Sequence, residues 1–454
     1  MTKKPVIAVF DVGKTNKKLF LFDENYQIVY EKSARFTETV DEDGDPCENL
    51  ESLRLSVFDS LSEVLRKEEF EIKALNFSTY GASFVYLGED GLPVAPLYNY
   101  LKPYPQHLLA QFYNTYGGEE EFAKNTASPV LGSLNSGMQI YRIKYEKPEL
   151  FKKIKYALHL PQYLSYLVTG KVYTDITSIG CHTNLWDFRK KDYHEWVYKE
   201  GIAEKLAPIL PGDEVLETGF MGYTFKVGAG LHDSSAALIP YLENFQEPFI
   251  LLSTGTWCIS LNPFNHSPLT AEELKQDSLC YMNYKRTPVK ASRLFAGYEH
   301  EQETKRIADH FGISSSSFKT VKYNAQVVLA LKDKLPQNVE IKFADRDLSS
   351  FANPIEAYHQ LIMDIVKQQE KSTRLVMENS SVKRIFVDGG FGNNDIFMHL
   401  MADAFSEEEL FAASMAQATA VGTAIAIHKS WNQNSLSGNI IELRFYAKSA
   451  DISV

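Results

Sequence analysis

The sequence predicts an α/β protein made of two lobes of similar internal design. Strand-like and helix-like segments alternate along all 454 residues, which is the pattern of α/β folds. Both halves open in the same way, since residues 6–22 and 249–261 each read as two apolar strands joined by a polar turn with glycine and threonine. This shared opening suggests a duplicated domain. A polar connector at residues 240–248 sets the expected lobes at 1–242 and 243–454.

Apolar spacing predicts the individual elements in chain order. In the first half we expect strands at 6–10, 18–22 and 72–77, a helix from residue 53, and a mostly helical stretch at 148–170. In the second half we expect a long helix at 355–377, a strand at 384–387, a loop at 388–393, and helices at 397–405 and 416–427. The segment after Trp431 is expected to pack back across the hinge.

Composition excludes several classes of protein. Lys plus Arg number 47 and Asp plus Glu 58, so the net charge of −11 argues against a general nucleic-acid binder. No apolar run approaches the ~18 residues of a membrane span. The four cysteines are scattered, and the N-terminal apolar run is too short for a secretory signal, so we expect reduced thiols and a cytoplasmic protein.

The turn after the first strand has the residue types of a phosphate site. It ends in Gly-Lys-Thr like a P-loop, but a P-loop requires glycine where this chain has Ala8. Two interpretations remain: backbone N–H groups and polar side chains grip a phosphate, or the turn is an ordinary hairpin. The candidate phosphate-binding residues are Gly13, Lys14, Thr15, Asn16 and Lys18.

Two segments of the second half have similar chemistry. A turn between strands and a glycine-rich β–α loop could hold a nucleotide from the opposite side of a cleft, although each could also be a simple turn. The candidate nucleotide-binding residues are Thr254, Gly255, Thr256, Gly389, Gly390, Asn393 and Asn394.

Asp233 follows a glycine-rich stretch and opens a helix of small residues. An aspartate at such a place commonly caps the helix, but it can also orient a substrate hydroxyl and accept its proton late in phosphoryl transfer. The helix dipole is expected to keep its pKa low.

A sugar site is expected after the strand that ends near residue 78, where α/β proteins place ligands. Small residues there leave room for a sugar, and nearby tyrosines and an amide offer hydrogen bonds. The alternative is a plain turn. The candidate substrate-binding residues are Tyr80, Gly81, Ala82, Asn99, Tyr100, His232 and Asp233.

The order of these clusters resembles the FGGY family of carbohydrate kinases over nearly the whole chain, most closely the rhamnulose- and fuculose-kinase branch. The matching strings are FDVGKTNKK (10–18), LPQYLSYLVTGKVYTD (160–175), GLHDSSAAL (230–238), STGTW (253–257), VDGGFGNN (387–394) and AQATAVGTAIA (416–426).

The resemblance implies a two-lobed, duplicated actin/hexokinase-like (ribonuclease H-like) ATPase fold with a central cleft. The N-terminal lobe would bind sugar, and the C-terminal lobe would bind the nucleotide. The implied reaction is ATP-dependent phosphorylation of a hydroxyl of a small sugar, a ketose such as L-rhamnulose or L-fuculose. Asp233 would be the general base, and Asp11 and Asp233 would hold Mg²⁺ through water.

The sequence departs from the family at two places. Lys14 stands where a small hydroxyl residue is usual, and Tyr98-Asn99-Tyr100-Leu101-Lys102 stands where that branch has aromatic-x-Asp-x-Arg. The rival functions are a catalytically silent sugar- or nucleotide-sensing relative and an actin-like ATPase. The expected partners are sugar and ATP, without nucleic acid or membrane, and a homodimer is left open.

Overall fold

The computed structural model of the chain describes residues 3–14, 17–33, 37–334, 342–415, 417–436, 438 and 440–448. Strands and helices alternate throughout these ranges, which confirms the α/β class. Within them, no helix combines the length and the apolar character needed to cross a membrane. Two large β-sheets carry the architecture.

The first large sheet contains seven strands within the described ranges, all from the N-terminal half. Lys4–Val12 pairs in parallel with Phe70–Thr79 and antiparallel with Lys17–Asp23. Val6 to Val9 are completely buried, as an apolar strand covered on both faces should be. Across the sheet the strands are Val215–Phe220, Tyr223–Gly228, Phe70–Thr79, Lys4–Val12, Lys17–Asp23 and Ile28–Ser33, with Leu231–His232 also paired to Phe70–Thr79.

The second large sheet, also of seven strands in the described part of the chain, repeats this pairing. Phe249–Thr254 pairs in parallel with Arg384–Gly389 and antiparallel with Cys258–Asn262. The predicted repeat of strand, turn and strand is therefore present in both sheets. Across the sheet the strands are Ser278–Met282, Pro288–Leu294, Cys258–Asn262, Phe249–Thr254, Arg384–Gly389, Glu409–Ser414 and Glu442–Tyr446.

Helices and short strand pairs surround the sheets. The short pairs are Glu38–Val40 with Pro46–Glu48, Phe84–Leu87 with Tyr156–His159, Thr174–Asp175 with Ile209–Leu210, and Trp186–Asp187 with Asp192–Tyr193. The helices up to the middle of the chain are Leu50–Leu65, Gln106–Thr115, Glu119–Thr126, Ser136–Glu146, Pro148–Lys153, Leu160–Thr169, Ile176–Ile179, Glu195–Lys199 and Asp233–Asn244. Those that follow are Ala271–Lys275, Ala296–Phe311, Ala325–Lys334, Pro354–Met377, Asp395–Ala404, Ala418–Ala426 and His428–Trp431.

The structure corrects two local predictions. The helical stretch at 148–170 is interrupted by the strand Tyr156–His159, which forms because it pairs with the distant strand Phe84–Leu87. The loop expected at 388–393 is shorter, since the strand continues to Gly389 and a 3₁₀ helix occupies Gly390–Asn393.

The helices Asp233–Asn244 and Ala418–Ala426, hereafter the central helix pair, pack against each other between the sheets. Ala236 and Ala420 lie in a core cluster with the first sheet, whereas Tyr241 lies in a cluster with the second. The Nδ2 of Asn76, on the first sheet, donates to the carbonyl of Thr423 at 2.9 Å. Because the pair contacts both sheets, its packing does not assign it to one lobe. The lobe boundary expected at 242/243 therefore stays a prediction.

The segment around Trp431 does return to the first sheet. Its indole packs edge-on against Tyr26 at 6.0 Å between ring centroids, and the Nδ2 of Asn432 donates to the carbonyl of Glu24 at 2.8 Å. The chain then ends its described part as a strand of the second sheet. The C-terminal segment thus ties the two sheets together.

The central helix pair should tolerate no side chain at its crossing point. A Cβ at Gly422 would lie 1.9 Å from the carbonyl oxygen of Ala236, so Gly422→Ala forces the backbones apart. We expect the variant to lose about 1–3 kcal/mol of unfolding free energy in urea titrations. Gly219→Ala is the matched control, since its nearest neighbour would lie at 3.9 Å. Equal stability of the two variants would contradict this packing.

Candidate active site

Three neighbouring parallel strands of the first sheet bring the candidate carboxylates to one edge. Asp11 lies opposite Ser78 in the register of the first pair, and His232 lies opposite Thr79 in the second. Asp233 follows His232 directly and begins the first helix of the central pair. Because ligands of open α/β sheets bind at the carboxyl ends of the strands, this edge is the candidate site.

Asp11 is held at this edge by a hydrogen bond from its neighbour strand. The hydroxyl of Ser78 donates to Oδ1 of Asp11 at 2.9 Å. Burial raises the pKa of Asp11 to about 6, the bond from Ser78 opposes that rise, and the negative charge of Asp233 adds to it. The two carboxylates therefore lie close enough to repel each other.

Asp233 is more basic than the sequence suggested. The backbone N–H of Ser234 donates to its Oδ1 at 2.6 Å, yet burial raises the pKa of Asp233 to about 6. The expectation of a low pKa is wrong, because desolvation is the largest cause and outweighs the hydrogen bonds from Ser234. His232 rather than Asp233 occupies the N-cap position. The side chain remains 33% exposed, so a substrate can reach it.

His232 supports Asp233 from behind. Its Nε2 lies 3.2 Å from Oδ1 of Asp233, and its ring stacks on Tyr281 with centroids 5.6 Å apart. Burial lowers the pKa of His232 to about 4, so the imidazole is neutral and the contact is not an ion pair. The same Nε2 lies 3.4 Å from Sγ of Cys181, its hydrogen-bond partner. A Cβ at Gly81 would lie 2.8 Å from this ring, which explains the glycine. Direct sugar contacts of His232 and Gly81 stay predictions.

The lysines of the first phosphate turn point to different partners. Lys18 donates to Oε1 of Glu31 at 2.5 Å, although its charge still lowers the pKa of Asp11. Lys14 extends to the buried carboxylate of Glu48 at 3.5 Å. Gly13 is partly exposed, and Thr15 and Asn16 lie outside the described residues.

The turn at 253–256 is locked to the glycine-rich segment of the neighbouring strand. Thr254 Oγ1 donates to the carbonyl of Asp388 at 2.6 Å and accepts from the N–H of Phe391 at 3.0 Å. Gly389 has φ of 92°, and a Cβ there would lie 2.0 Å from the carbonyl of Thr254. The hydroxyl of Thr254 is therefore structural, while Gly255 and Thr256 remain exposed.

The candidate nucleotide-binding residues of the glycine-rich segment 389–394 are of two kinds, exposed residues and residues that stabilise the local fold. Gly389, Gly390 and Asn393 are exposed. Asn394 instead caps the helix Asp395–Ala404 by accepting from the N–H of Phe397 at 3.0 Å, and its Nδ2 donates to Tyr358 at 2.8 Å. Nucleotide contacts of all four candidates stay predictions.

Two residues of the predicted sugar pocket are less available to a ligand than we expected. Ala82 is buried at a φ of 61°, so a large residue there would test folding rather than binding. Asn99 uses its amide locally, because Nδ2 donates to the carbonyl of Pro46 at 3.1 Å and Oδ1 accepts from the N–H of Leu101 at 2.9 Å. Tyr100 is partly exposed and remains available to a ligand.

Sequence reasoning missed the hairpin Glu38–Val40 to Pro46–Glu48, which forms one wall of this pocket. Glu48 accepts from the hydroxyl of Tyr80 at 3.0 Å. Lys102 bonds to Asp41, to Asp43 at 2.8 Å and to Asp45 at 3.1 Å. The acidic run at 41–48 was the available signal. It supplies Lys102 with carboxylates, whereas position 100, where the branch has its aspartate, is a tyrosine in this chain.

The carboxylates at the sheet edge fit a magnesium ion held through water. Asp11 and Asp233 are hard oxygen ligands whose mutual repulsion a cation would relieve. Among the described residues, no group of three or more His, Cys, Asp or Glu side chains is placed to hold a metal. The fit is thus to an ion that also binds phosphates, rather than to an all-protein site.

Replacement of Asp233 should stabilise the protein at neutral pH. Since the folded-state pKa is raised to about 6, the charged form is penalised in the folded state above that pH, and the penalty disappears below about pH 4. Because the side chain is one-third exposed, we expect Asp233→Asn to gain only about 1–2 kcal/mol at pH 7. Urea titrations at pH 7 and pH 4 measure this, with exposed Asp309→Asn as control. A gain independent of pH would contradict burial as the cause.

Comparison with known proteins agrees with this geometry. The N-terminal domain of the FGGY family of carbohydrate kinases matches residues 6–238, and the FGGY carbohydrate kinase C-terminal domain matches residues 246–435. A rhamnulokinase of Oceanobacillus iheyensis is 22% identical over 78% of this chain and 77% of its own length. A rhamnulokinase of Halalkalibacterium halodurans is 23% identical over 55% of this chain, and the match spans only 54% of that relative.

Solved structures show the same fold. A carbohydrate kinase from Novosphingobium aromaticivorans is 22% identical with a TM-score of 0.80, covering 98% of this chain and 95% of the other. A ligand-bound xylulose kinase from Lactobacillus acidophilus is 17% identical with a TM-score of 0.77, covering 98% and 94%. These likenesses confirm the predicted two-lobed, duplicated actin/hexokinase-like fold with a central cleft. The chain belongs to the FGGY family of carbohydrate kinases.

Proposed function

We propose that the chain transfers the γ-phosphoryl group of ATP to a hydroxyl of a small sugar. The observation that carries this proposal is Asp233, a partly exposed carboxylate of raised pKa at the edge where three strands end. A pKa of about 6 leaves Asp233 ionised at neutral pH, yet basic enough to accept a proton. Family membership supports the same chemistry.

In this proposal Asp233 orients the sugar hydroxyl and takes its proton as the bond to phosphorus forms. Neutral His232 contacts the carboxylate, with Nε2 3.2 Å from Oδ1 of Asp233, and limits the positions that the carboxylate can take, while its own ring stacks on Tyr281. The contribution of these residues is positioning, because phosphoryl transfer needs little covalent chemistry from the protein.

In this proposal, residues of both sheets would contact the nucleotide. Asp11 and Asp233 would hold Mg²⁺ through water, and the ion would neutralise charge on the phosphates. Gly255 and Thr256 are exposed on the second sheet. The N–H of Gly255 already donates to the carbonyl of Trp257 at 2.9 Å, so the N–H of Thr256 is the backbone donor that we propose for a phosphate. Exposed Gly389 and Gly390 leave a flat surface on which a nucleoside can lie.

The acceptor that we propose is a ketose such as L-rhamnulose, L-fuculose or a related sugar. Support comes from the relatives named rhamnulokinase, at 22–23% identity. Structural neighbours include proteins described as xylulose kinase and gluconate kinase, so the test must span several sugars.

Activity should depend on Asp233. In an assay that couples ADP release to NADH oxidation across a panel of ketoses, aldoses, polyols and sugar acids, we expect one sugar to stimulate ADP release strongly. With that sugar, Asp233→Ala should lower kcat by ~10² or more, because the general base is lost. Binding of ATP should persist, and Asp309→Asn should retain full activity.

The outcomes separate the rival functions. ADP release that no sugar stimulates would point to an actin-like ATPase. Sugar or nucleotide binding without ADP release would point to a silent sensor. A fully active Asp233→Ala variant would refute the assignment of the base.

Ligand binding should also bring the proposed lobes, 1–242 and 243–454, together. Closure would exclude water from the cleft during transfer. We expect the radius of gyration in small-angle scattering to fall when the sugar and a non-hydrolysable ATP analogue are both bound. Each ligand alone serves as the control, and unchanged scattering at saturation would contradict closure.

A further inference from the structure

Lys14 belongs to the first phosphate turn, but its side chain does not stay there. Its Nζ lies 3.5 Å from Oε1 of Glu48, on the acidic hairpin. The same ammonium lies 5.3 Å from the ring centroid of Tyr80 and 5.9 Å from that of Tyr100. Both tyrosines belong to the predicted sugar pocket. The side chain therefore extends from the turn along the wall of that pocket.

Glu48 fixes this arrangement. The carboxylate is 2% exposed and also accepts from the hydroxyl of Tyr80 at 3.0 Å. Its Oε2 lies 3.4 Å from Nζ of Lys17, so two ammonium groups share one buried carboxylate. Lys14 is 32% exposed and Lys17 only 12%, hence the ammonium of Lys14 is the more accessible of these two positive charges. Removing Glu48 would leave this charge without its anchor.

Tyr100 relates the ammonium of Lys14 to the proposed base. Burial raises the pKa of Tyr100, and the negative charges of Asp233 and then Glu48 raise it further. The phenol of Tyr100 is therefore close enough to both carboxylates to respond to their charges, and its ring centroid lies 5.9 Å from the ammonium of Lys14. Tyr100 is thus the residue that links the surroundings of Lys14 to those of Asp233.

We propose that Lys14 determines acceptor specificity by donating hydrogen bonds to oxygen atoms of the sugar, and that it is not a phosphate ligand. This inference rests on the proposed function. An ammonium carries three donors and no acceptor, so it selects oxygen lone pairs and disfavours a methyl group at the same place. The sugar oxygens are hydroxyls or a carboxylate remote from the hydroxyl that receives the phosphoryl group.

The test replaces Lys14 by methionine, which is unbranched and one atom shorter, so it keeps most of the packing on the tyrosines but removes the donors. We expect Lys14→Met to raise the KM for sugar at least tenfold, about 1.4 kcal/mol of lost binding, with the KM for ATP changed less than twofold. Lys14→Arg should recover part of the loss. Lys73→Met, at an exposed lysine on the first sheet, is the matched control and should match the wild type.

Two arms identify the oxygen that is recognised. If it is a hydroxyl, neutral ketoses lose affinity in Lys14→Met and sugar acids are poor substrates of both proteins. If it is a carboxylate, the wild type prefers sugar acids and the variant loses that preference. A raised KM for ATP with an unchanged KM for sugar would show a phosphate ligand and overturn the inference, as would no change in either constant.

Calorimetric titration of sugars without ATP separates this inference from the proposed function. Sugar binding that weakens in Lys14→Met, in a protein that transfers no phosphoryl group, would refute the kinase proposal and leave the role of Lys14 standing. If the protein transfers a phosphoryl group to the sugar, but the wild type and Lys14→Met bind that sugar with equal affinity, the kinase proposal stands and the role of Lys14 is refuted. If no sugar of the panel binds or reacts, both are refuted.

Discussion

The helix pair that packs between the two sheets requires one close contact, in which Gly422 lies against the backbone carbonyl of Ala236. The central helix pair can cross there only because glycine has no side chain. One helix of the pair begins at Asp233, so its packing also sets the position of the candidate base. Tyr241 on the same helix lies in the core of the second sheet. The helix that begins at the candidate base is thus packed into the cores of both sheets.

The chemistry at the sheet edge follows from what burial does to paired carboxylates. Asp11 and Asp233 both have a pKa raised to about 6, with desolvation the largest cause for each. A fold optimised for stability alone would not keep two such groups side by side, since their charges repel and each loses hydration. The loss of folding free energy caused by these two carboxylates is explained if a cation and a phosphate complete the site.

Local sequence patterns predicted the parts of this structure that local forces determine. The strand expected at 384–387 is observed as Arg384–Gly389, and the helix expected at 355–377 as Pro354–Met377, because apolar periodicity reports these directly. The strand Tyr156–His159 was missed because its pairing partner is distant in sequence. The raised pKa of Asp233 was missed for a similar reason: the groups that bury it come from other segments, whereas the helix dipole is visible in its own.

The two departures from the family pattern have one structural explanation. The acidic hairpin at 38–48 supplies Asp41, Asp43 and Asp45 to Lys102 and supplies Glu48 to Lys14. Each lysine that looked anomalous in the sequence therefore has a carboxylate from the same hairpin. An unpaired ammonium in this pocket wall would lower the stability of the fold. A substitution of either lysine is therefore expected to require a matching substitution in the hairpin. A pocket built on this exchange presents the charge of Lys14 where a small hydroxyl is usual, so the oxygen atoms of the acceptor are where the effect of this exchange is expected.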